Sequence, residues 1–201
     1  MRIALTRSTL VLLTAFLAAC ASTTITDSWY DASYTGGMFK RVMVLAVTPN
    51  VVSRRTFEDI FTAKLRATGI DAVPSYQFLS GTGPAPEPAL DVAVSDAHAD
   101  GLLMTHLLRI DRQTVVTPGY VPAFRPGFYP YYSAWAAYPE VSTYDIATAE
   151  VNLFDVKTKR LVWGGTTETF NPQSVSRESG GFADVVIAAL AQRGLVPPAR
   201  K

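Results

Sequence analysis

Residues 40–48 read Lys-Arg-Val-Met-Val-Leu-Ala-Val-Thr, a continuous apolar run led by two cations and closed by Pro49-Asn50. Its length and β-branched content suit a strand buried on both faces, and such a strand requires helices covering a sheet on either side. The following residues supply one of those helices. Ser53 offers an N-cap, and Phe57, Ile60, Phe61 and Leu65 recur at the helical period. Gly69 stands where a C-cap glycine belongs. Ile70 to Tyr76 reads as a second strand, with Pro74 marking a sheet edge or a strand end. The chain therefore opens its folded part with a β-α-β unit.

The remainder extends that sheet. Gly81 to Pro88 is a loop by composition, and Ala89 to Ala97 has helical apolar spacing. Ala99-Asp100-Gly101 turns the chain into a long strand, Leu102 to Val116, interrupted by Asp111 and Arg112 where it runs beyond the core. Val141 to Asp155 and Leu161 to Phe170 form a hairpin across the polar turn 156–160, and Gly164-Gly165 marks a bulge or a close backbone approach. Phe182 to Leu195 is a terminal amphipathic helix ending at Gly194. The fold class is α/β (α+β), a mixed sheet of about five strands with helices packed on it.

Between the two long strands lies the window 117–139, with five prolines, two glycines and a concentration of aromatics. Each proline fixes φ and removes a donor, which forbids a helix and disfavours a central strand. Long loops of this kind are either functional or disordered. Tyr120, Phe124, Phe128, Tyr129, Tyr131, Tyr132 and Trp135 are the candidate interaction residues, since exposed rings with polar tips dock on protein, glycan or a lipid interface. Arg125 is the sole charge in the window, which weakens an anionic-polymer reading.

The amino terminus has the three-part design of a secretory signal: Arg2 and Arg7, an apolar run from Leu10 to Phe16, and small residues Ala18 and Ala19 before Cys20. The run falls short of the roughly 20 residues a membrane span needs. Leu17-Ala18-Ala19-Cys20 resembles the lipobox of bacterial lipoprotein precursors. That resemblance implies diacylglycerol on the Cys20 sulfur, cleavage before Cys20, and acylation of the new amino terminus. Such an anchor is permanent, because each buried methylene contributes about 0.8 kcal/mol and several chains act together. The same resemblance implies, from Ala21 in place of an Asp after the cysteine, the periplasmic face of the outer membrane and not the inner membrane. Residues 1–19 are thus the lipoprotein signal, 20–39 the lipidated terminus and tether, and 40–196 a single α/β domain. Trp29, Tyr30 and Tyr34 sit uneasily in a free tether, so Thr26 to Tyr30 is read as a short strand or an extended segment docked on the domain.

Cys20 is the only cysteine, so no disulfide framework supports the fold, which stands on apolar burial at 48% hydrophobic content. Loss of Arg2 and Arg7 with the signal takes the formal charge from +1 to +1 − 2 = −1. A near-neutral body lacks the electrostatic footprint of a nucleic-acid binder. His98 and His106 lie on different predicted elements and form no metal site, and no cofactor motif is present. There is no Gly-x-Ser-x-Gly elbow. Glu150 and Glu168 fall on strands predicted to pair, where facing carboxylates suit acid/base work, although solvent-facing positions are the plainer reading.

Asp155-Val156-Lys157-Thr158 followed by Leu161-Val162-Trp163 carries a second resemblance, together with the lipobox, the β-α-β start and Ala99-Asp100-Gly101-Leu102-Leu103. The chain is similar to a group of Gram-negative outer-membrane lipoproteins whose last hairpin reads Leu/Phe-x-Asp-x-x-Thr-Gly-x-Leu-x-Trp. Lys159 stands where those relatives have glycine. The resemblance implies a mixed sheet with helices packed on it, as in periplasmic assembly factors, and brings no catalytic residues. Asp155 and Thr158 are read as turn formers and Trp163 as a strand aromatic covering a sheet face. The expectation is a non-enzymatic, lipid-anchored envelope protein with a membrane contact through its lipid and an envelope protein as partner. The alternative is an envelope hydrolase or small-ligand-binding lipoprotein.

Overall fold

The computed structural model describes residues 23–81, 85–117 and 140–199. Cys20 and the aromatic residues Tyr120 to Trp135 lie outside them. The described chain forms β1 (Thr23–Tyr30), β2 (Arg41–Val47), α1 (Val51–Thr68), β3 (Asp71–Pro74), α2 (Glu87–Asp96), β4 (Gly101–Thr117), β5 (Glu140–Asp155), β6 (Arg160–Phe170) and α3 (Val175–Gln192), with a 3-10 turn at Ser75–Gln77. The strands make one mixed sheet in the order β1-β6-β5-β4-β2-β3. Strand β2 runs parallel to β3 and β4, and the remaining pairs are antiparallel.

The mixed α/β class is as expected, with six strands in place of about five. The additional strand is β1. Of the two readings open for the stretch before Lys40, the docked strand is the observed one, and it begins at Thr23, earlier than Thr26. Its side chains explain the docking. Thr23 shares a hydroxyl hydrogen bond with Thr169 at 2.9 Å, and Ile25 and Tyr30 pack on the core. Beyond the strand, buried Asp31 accepts from the Ser33 hydroxyl at 2.6 Å and from the Ser33 N–H at 2.9 Å. Those two bonds, with Arg160 at 2.8 Å adding attraction, hold its carboxyl below the usual range.

Helices cover both faces, as the doubly buried run in β2 requires. Val42 and Val44 face α1 and α3 with Leu103, Val151, Leu153 and Trp163. Met43 faces the smaller cluster under α2, with Val94, Ala97 and Leu102. An aromatic trio fastens α1 to α3: Phe57 lies 5.6 Å from Phe61 and 5.5 Å from Phe182, ring centre to ring centre. Helix α1 is capped by Asn50, whose side chain accepts from the Ser53 N–H at 2.9 Å. Ser53, expected as the cap, is the residue being capped. Gly69 ends the helix in the left-handed region at φ 101°, as predicted. Helix α3 starts at Val175, well before Phe182, because Ser174 caps it and Gly180-Gly181 lie within it.

The dipeptide Asp100-Gly101 has a physical reason at each position. The Asp100 carboxylate accepts from the Lys40 and Arg41 N–H groups, both at 2.9 Å, which pins the start of β2 beside the start of β4. A Cβ on Gly101 would sit 2.8 Å from the Phe39 ring. Trp163 likewise lies over its own strand: a Cβ on Gly165 would come within 2.5 Å of the indole. The glycine pair therefore marks a close approach and stays in register with Asn152 and Val151; the register shift of this strand pair falls before it, between the Leu153–Trp163 and Phe154–Leu161 pairs.

Candidate functional site

The sheet has two unlike ends. At the end where β2 and β6 finish, α1 and α3 begin and β1 enters, an apolar groove of about 360 Å³ opens between the sheet and the first turns of the two helices. Ala46, Ala147 and Ala149 keep the sheet wall low, Leu107 and Ile110 flank it, and Phe57 and Phe182 close the helix side. Small residues on the strands opposite aromatic residues on the helices are what leave this space. The connection Pro172-Gln173-Ser174 forms its rim.

The two helix starts beside the groove are satisfied internally. Ser174 Oγ accepts from the Arg177 N–H at 3.3 Å, and Glu178 Oε1 accepts from the Gln173 N–H at 3.1 Å. Of the groove's lining residues Glu178 alone is a carboxylic acid, and it is engaged in this cap. Thr105 also lines the groove; its hydroxyl is buried and has no partner among the described residues. The arrangement is suited to holding apolar matter.

A second cavity of about 370 Å³ lies on the α2 side, beside β2 and β4, and His106 lines it with Leu45, Met104 and Leu90. Arg54 borders it and belongs to a buried network that the sequence reading missed. Glu58, with none of its surface exposed, accepts from Ala46 N–H (3.0 Å), Arg54 Nε (3.0 Å) and Ser75 Oγ (2.8 Å) on one oxygen and from Tyr76 N–H (3.0 Å) on the other. Arg54 in turn donates to Gly81 C=O at 2.6 Å and to Ser75 Oγ at 2.8 Å. The network joins α1 to β2 and to the turn after β3. Its signal was present, since positions 54, 58 and 62 share the helix stripe of Phe61 and Leu65, but polar residues do not register in a search for apolar periodicity.

The other sequence candidates take separate places. Glu150 pairs in register with Thr166 and with His106, while Glu168 pairs with Thr148 and Thr24. The two carboxylates thus share a face without standing opposite each other, and neither lines the groove or the second cavity. Glu150 accepts from Asn152 Nδ2 at 2.7 Å. His98 is exposed just past α2 with φ 50°. Asp155 accepts from the N–H and hydroxyl of Thr158, the turn-forming role expected of both. Lys159 takes the left-handed conformation at φ 56° that glycine adopts at low cost, and its ammonium reaches Asp91 of α2 at 2.7 Å. That bond raises the lysine's pKa. Trp163 is buried in the core, as expected for a strand aromatic. Among the described residues no group of three or more His, Cys, Asp or Glu is placed to hold a metal, and no helix is long and apolar enough to cross a membrane.

The fold defines a class: a small mixed α/β domain with a six-stranded sheet between helical layers. No protein-family model matches the chain, and no curated protein matches it. Its fold is similar to that of PelC from Paraburkholderia phytofirmans, solved as a dodecamer, at 17% identity over 86% of this chain and 98% of that one, with a TM-score of 0.44. It is also similar to the lipoprotein GNA1162 from Neisseria meningitidis, at 14% identity over 76% of this chain and 98% of that one, with a TM-score of 0.41.

Proposed function

We propose that the chain is a lipid-anchored envelope protein, held through Cys20 at the periplasmic face of the outer membrane, acting by contact with another envelope protein and not by catalysis. The observation that carries this reading is the lipobox Leu17 to Cys20 at the end of a secretory signal, with Cys20 the only cysteine of the chain. The groove walls are aliphatic, aromatic and hydroxylic, which suits contact with apolar groups of a partner. The partner-binding candidates are the aromatic residues between Thr117 and Glu140, where Tyr, Phe and Trp side chains concentrate. Crosslinking in intact cells followed by mass spectrometry tests the proposal. A specific envelope protein should be captured by the wild type and lost on deletion of residues 118–139. Recovery of the free monomer alone, unchanged by that deletion, overturns it.

The groove itself favours a second reading, a small-ligand-binding lipoprotein. Its size lies in the range of ligand sites, and a buried hydroxyl without a partner lies beside apolar walls. Native mass spectrometry of protein purified from its host would reveal a retained molecule, and a ligand-free spectrum would favour the partner-binding reading.

A further inference from the structure

Thirteen large apolar side chains are exposed among the described residues, and eight of them lie at or beside one end of the sheet. Val51 and Val52 occupy the first turn of α1, Leu107 and Ile110 the middle of β4, Phe170 the end of β6, and Val175 the first turn of α3. The topology brings them together, because β2 and β6 finish where both helices begin. Val115 and Val141 lie farther out on the β4–β5 ribbon, and Trp29, Met38 and Val92 lie elsewhere. This is also the end on which the groove opens.

The chain enters the sheet at the same place. Thr23, the first residue of β1, pairs with Thr169, and Thr169 is a wall residue of the groove. Cys20 stands three residues before Thr23. At the extended limit of about 3.5 Å per residue, its backbone can lie no more than about 11 Å from that of Thr23. The polar layer on each side of a bilayer is about 5–8 Å deep, from a total of about 40–45 Å less a hydrocarbon core of about 30 Å. A lipid on Cys20 therefore leaves almost no spacer between this apolar end and the acyl chains.

Charge does not oppose the contact. Arg112 pairs with Asp145 at 3.1 Å and Arg109 with Asp111 on the β4–β5 ribbon at this end, so those exposed charges are compensated locally. From these observations we infer that the end of the domain bearing the groove is a membrane-contact face. It rests on the headgroup and acyl boundary of the bilayer that holds the anchor, with Val52, Ile110 and Val175 entering that boundary. The inference rests on the lipid-anchor reading of Cys20 and adds the orientation of the domain on the membrane. It also means that the groove opens toward lipid, while the β5–β6 turn at Lys157 points away from it.

The lone cysteine makes the test direct. Once Cys20 is acylated, a cysteine introduced by Val52→Cys, Ile110→Cys or Val175→Cys is the single free thiol, and Val92→Cys and Lys157→Cys provide sites away from the face. Each full-length, processed protein is labelled with bimane and reconstituted into vesicles of phosphatidylethanolamine and phosphatidylglycerol. Quenching by nitroxide-bearing lipids is compared with quenching by iodide. The three face sites should be quenched severalfold more by the lipid nitroxides than the two remote sites, with the opposite order for iodide. Equal lipid quenching at all five sites overturns the orientation. So does shielding of the face sites that grows with protein density and accompanies crosslinks between copies, because a second copy would then cover the face. Flotation with the vesicles and the mass of the residue 20 peptide report the anchor separately. Protein that floats and carries acyl mass but shows uniform quenching refutes the orientation alone. Protein that neither floats nor carries acyl mass refutes the anchor and the orientation with it.

Discussion

Glu58 is a fully buried charge stabilised by geometry, with four donors on its two oxygens. Two of these are backbone N–H groups that would otherwise be buried without a partner, and one is a guanidinium with little exposure of its own. Removing one member of such a pair leaves an uncompensated charge, which costs about 3–5 kcal/mol. Glu58→Ala should therefore lose about that much in urea unfolding with an unchanged slope, a large part of the roughly 5–15 kcal/mol available to a domain. The double variant Arg54→Met/Glu58→Leu should recover most of the loss, since two apolar groups replace two charges. A Glu58→Ala protein within about 0.5 kcal/mol of wild type, the range of an ordinary surface change, would show that the network contributes little. At this scale the sequence is hardest to read. Arg54 and Glu58 are spaced like a common surface pair on a helix, and only the packing of β2 and the turn after β3 against them turns that pair inward.

Among the elements, the starts of α1 and α3 were the least legible and the ends of strands the most. Pro49-Asn50 reads as the close of a strand, and the β-branched Val51 and Val52 disguise the first helical turn, so Ser53 looks like the cap. In the structure Asn50 Oδ1 receives the Ser53 N–H. Loss of an N-cap side chain costs about 1 kcal/mol, whereas the Ser53 side chain has no capping duty. Asn50→Ala should lower the thermal midpoint measurably, by an amount matching about 1 kcal/mol, and Ser53→Ala should stay within about 0.5 kcal/mol of wild type. The reverse ranking in differential scanning calorimetry would restore Ser53 as the cap. By contrast, β4, β5 and β6 were readable to within a residue or so at the ends compared. Their β-branched runs are bounded by turn residues with one local duty each, such as Asp100 on the Lys40 and Arg41 amides and Asp155 on Thr158. For the candidate site, residue identity was legible but pairing was not. Glu150 and Glu168 sit on paired strands as read, and the register then sets them diagonally.

For the molecule as a whole, the decisive question is where the folded body begins, because that sets how far it stands from its anchor. Composition makes residues 20–39 look like a tether, being rich in Ser, Thr, Gly and Asp, and no local signal says that Thr23 will find Thr169 so far along the chain. Pairing partners at that separation are settled by the rest of the sheet, which must already exist for β1 to add to it. Because the sheet starts at Thr23, a chain beginning at Lys40 loses an edge strand. Ile25 and Tyr30 come off the core, Arg160 loses Asp31, and the N–H and C=O row of β6 is left open. Full burial of a large side chain is worth about 1.5–3 kcal/mol and these two are partly buried, so their joint loss is about 1–3 kcal/mol before the open edge is counted. An open edge is also a template for pairing between chains. Comparing a protein that begins at Ala21 with one that begins at Lys40 separates the two pictures. The shorter chain should unfold at a clearly lower temperature and scatter light increasingly on standing, whereas equal midpoints and no scattering would return residues 23–39 to the role of spacer. In that event the short reach from Cys20 to the sheet, on which the membrane-facing orientation depends, would disappear as well.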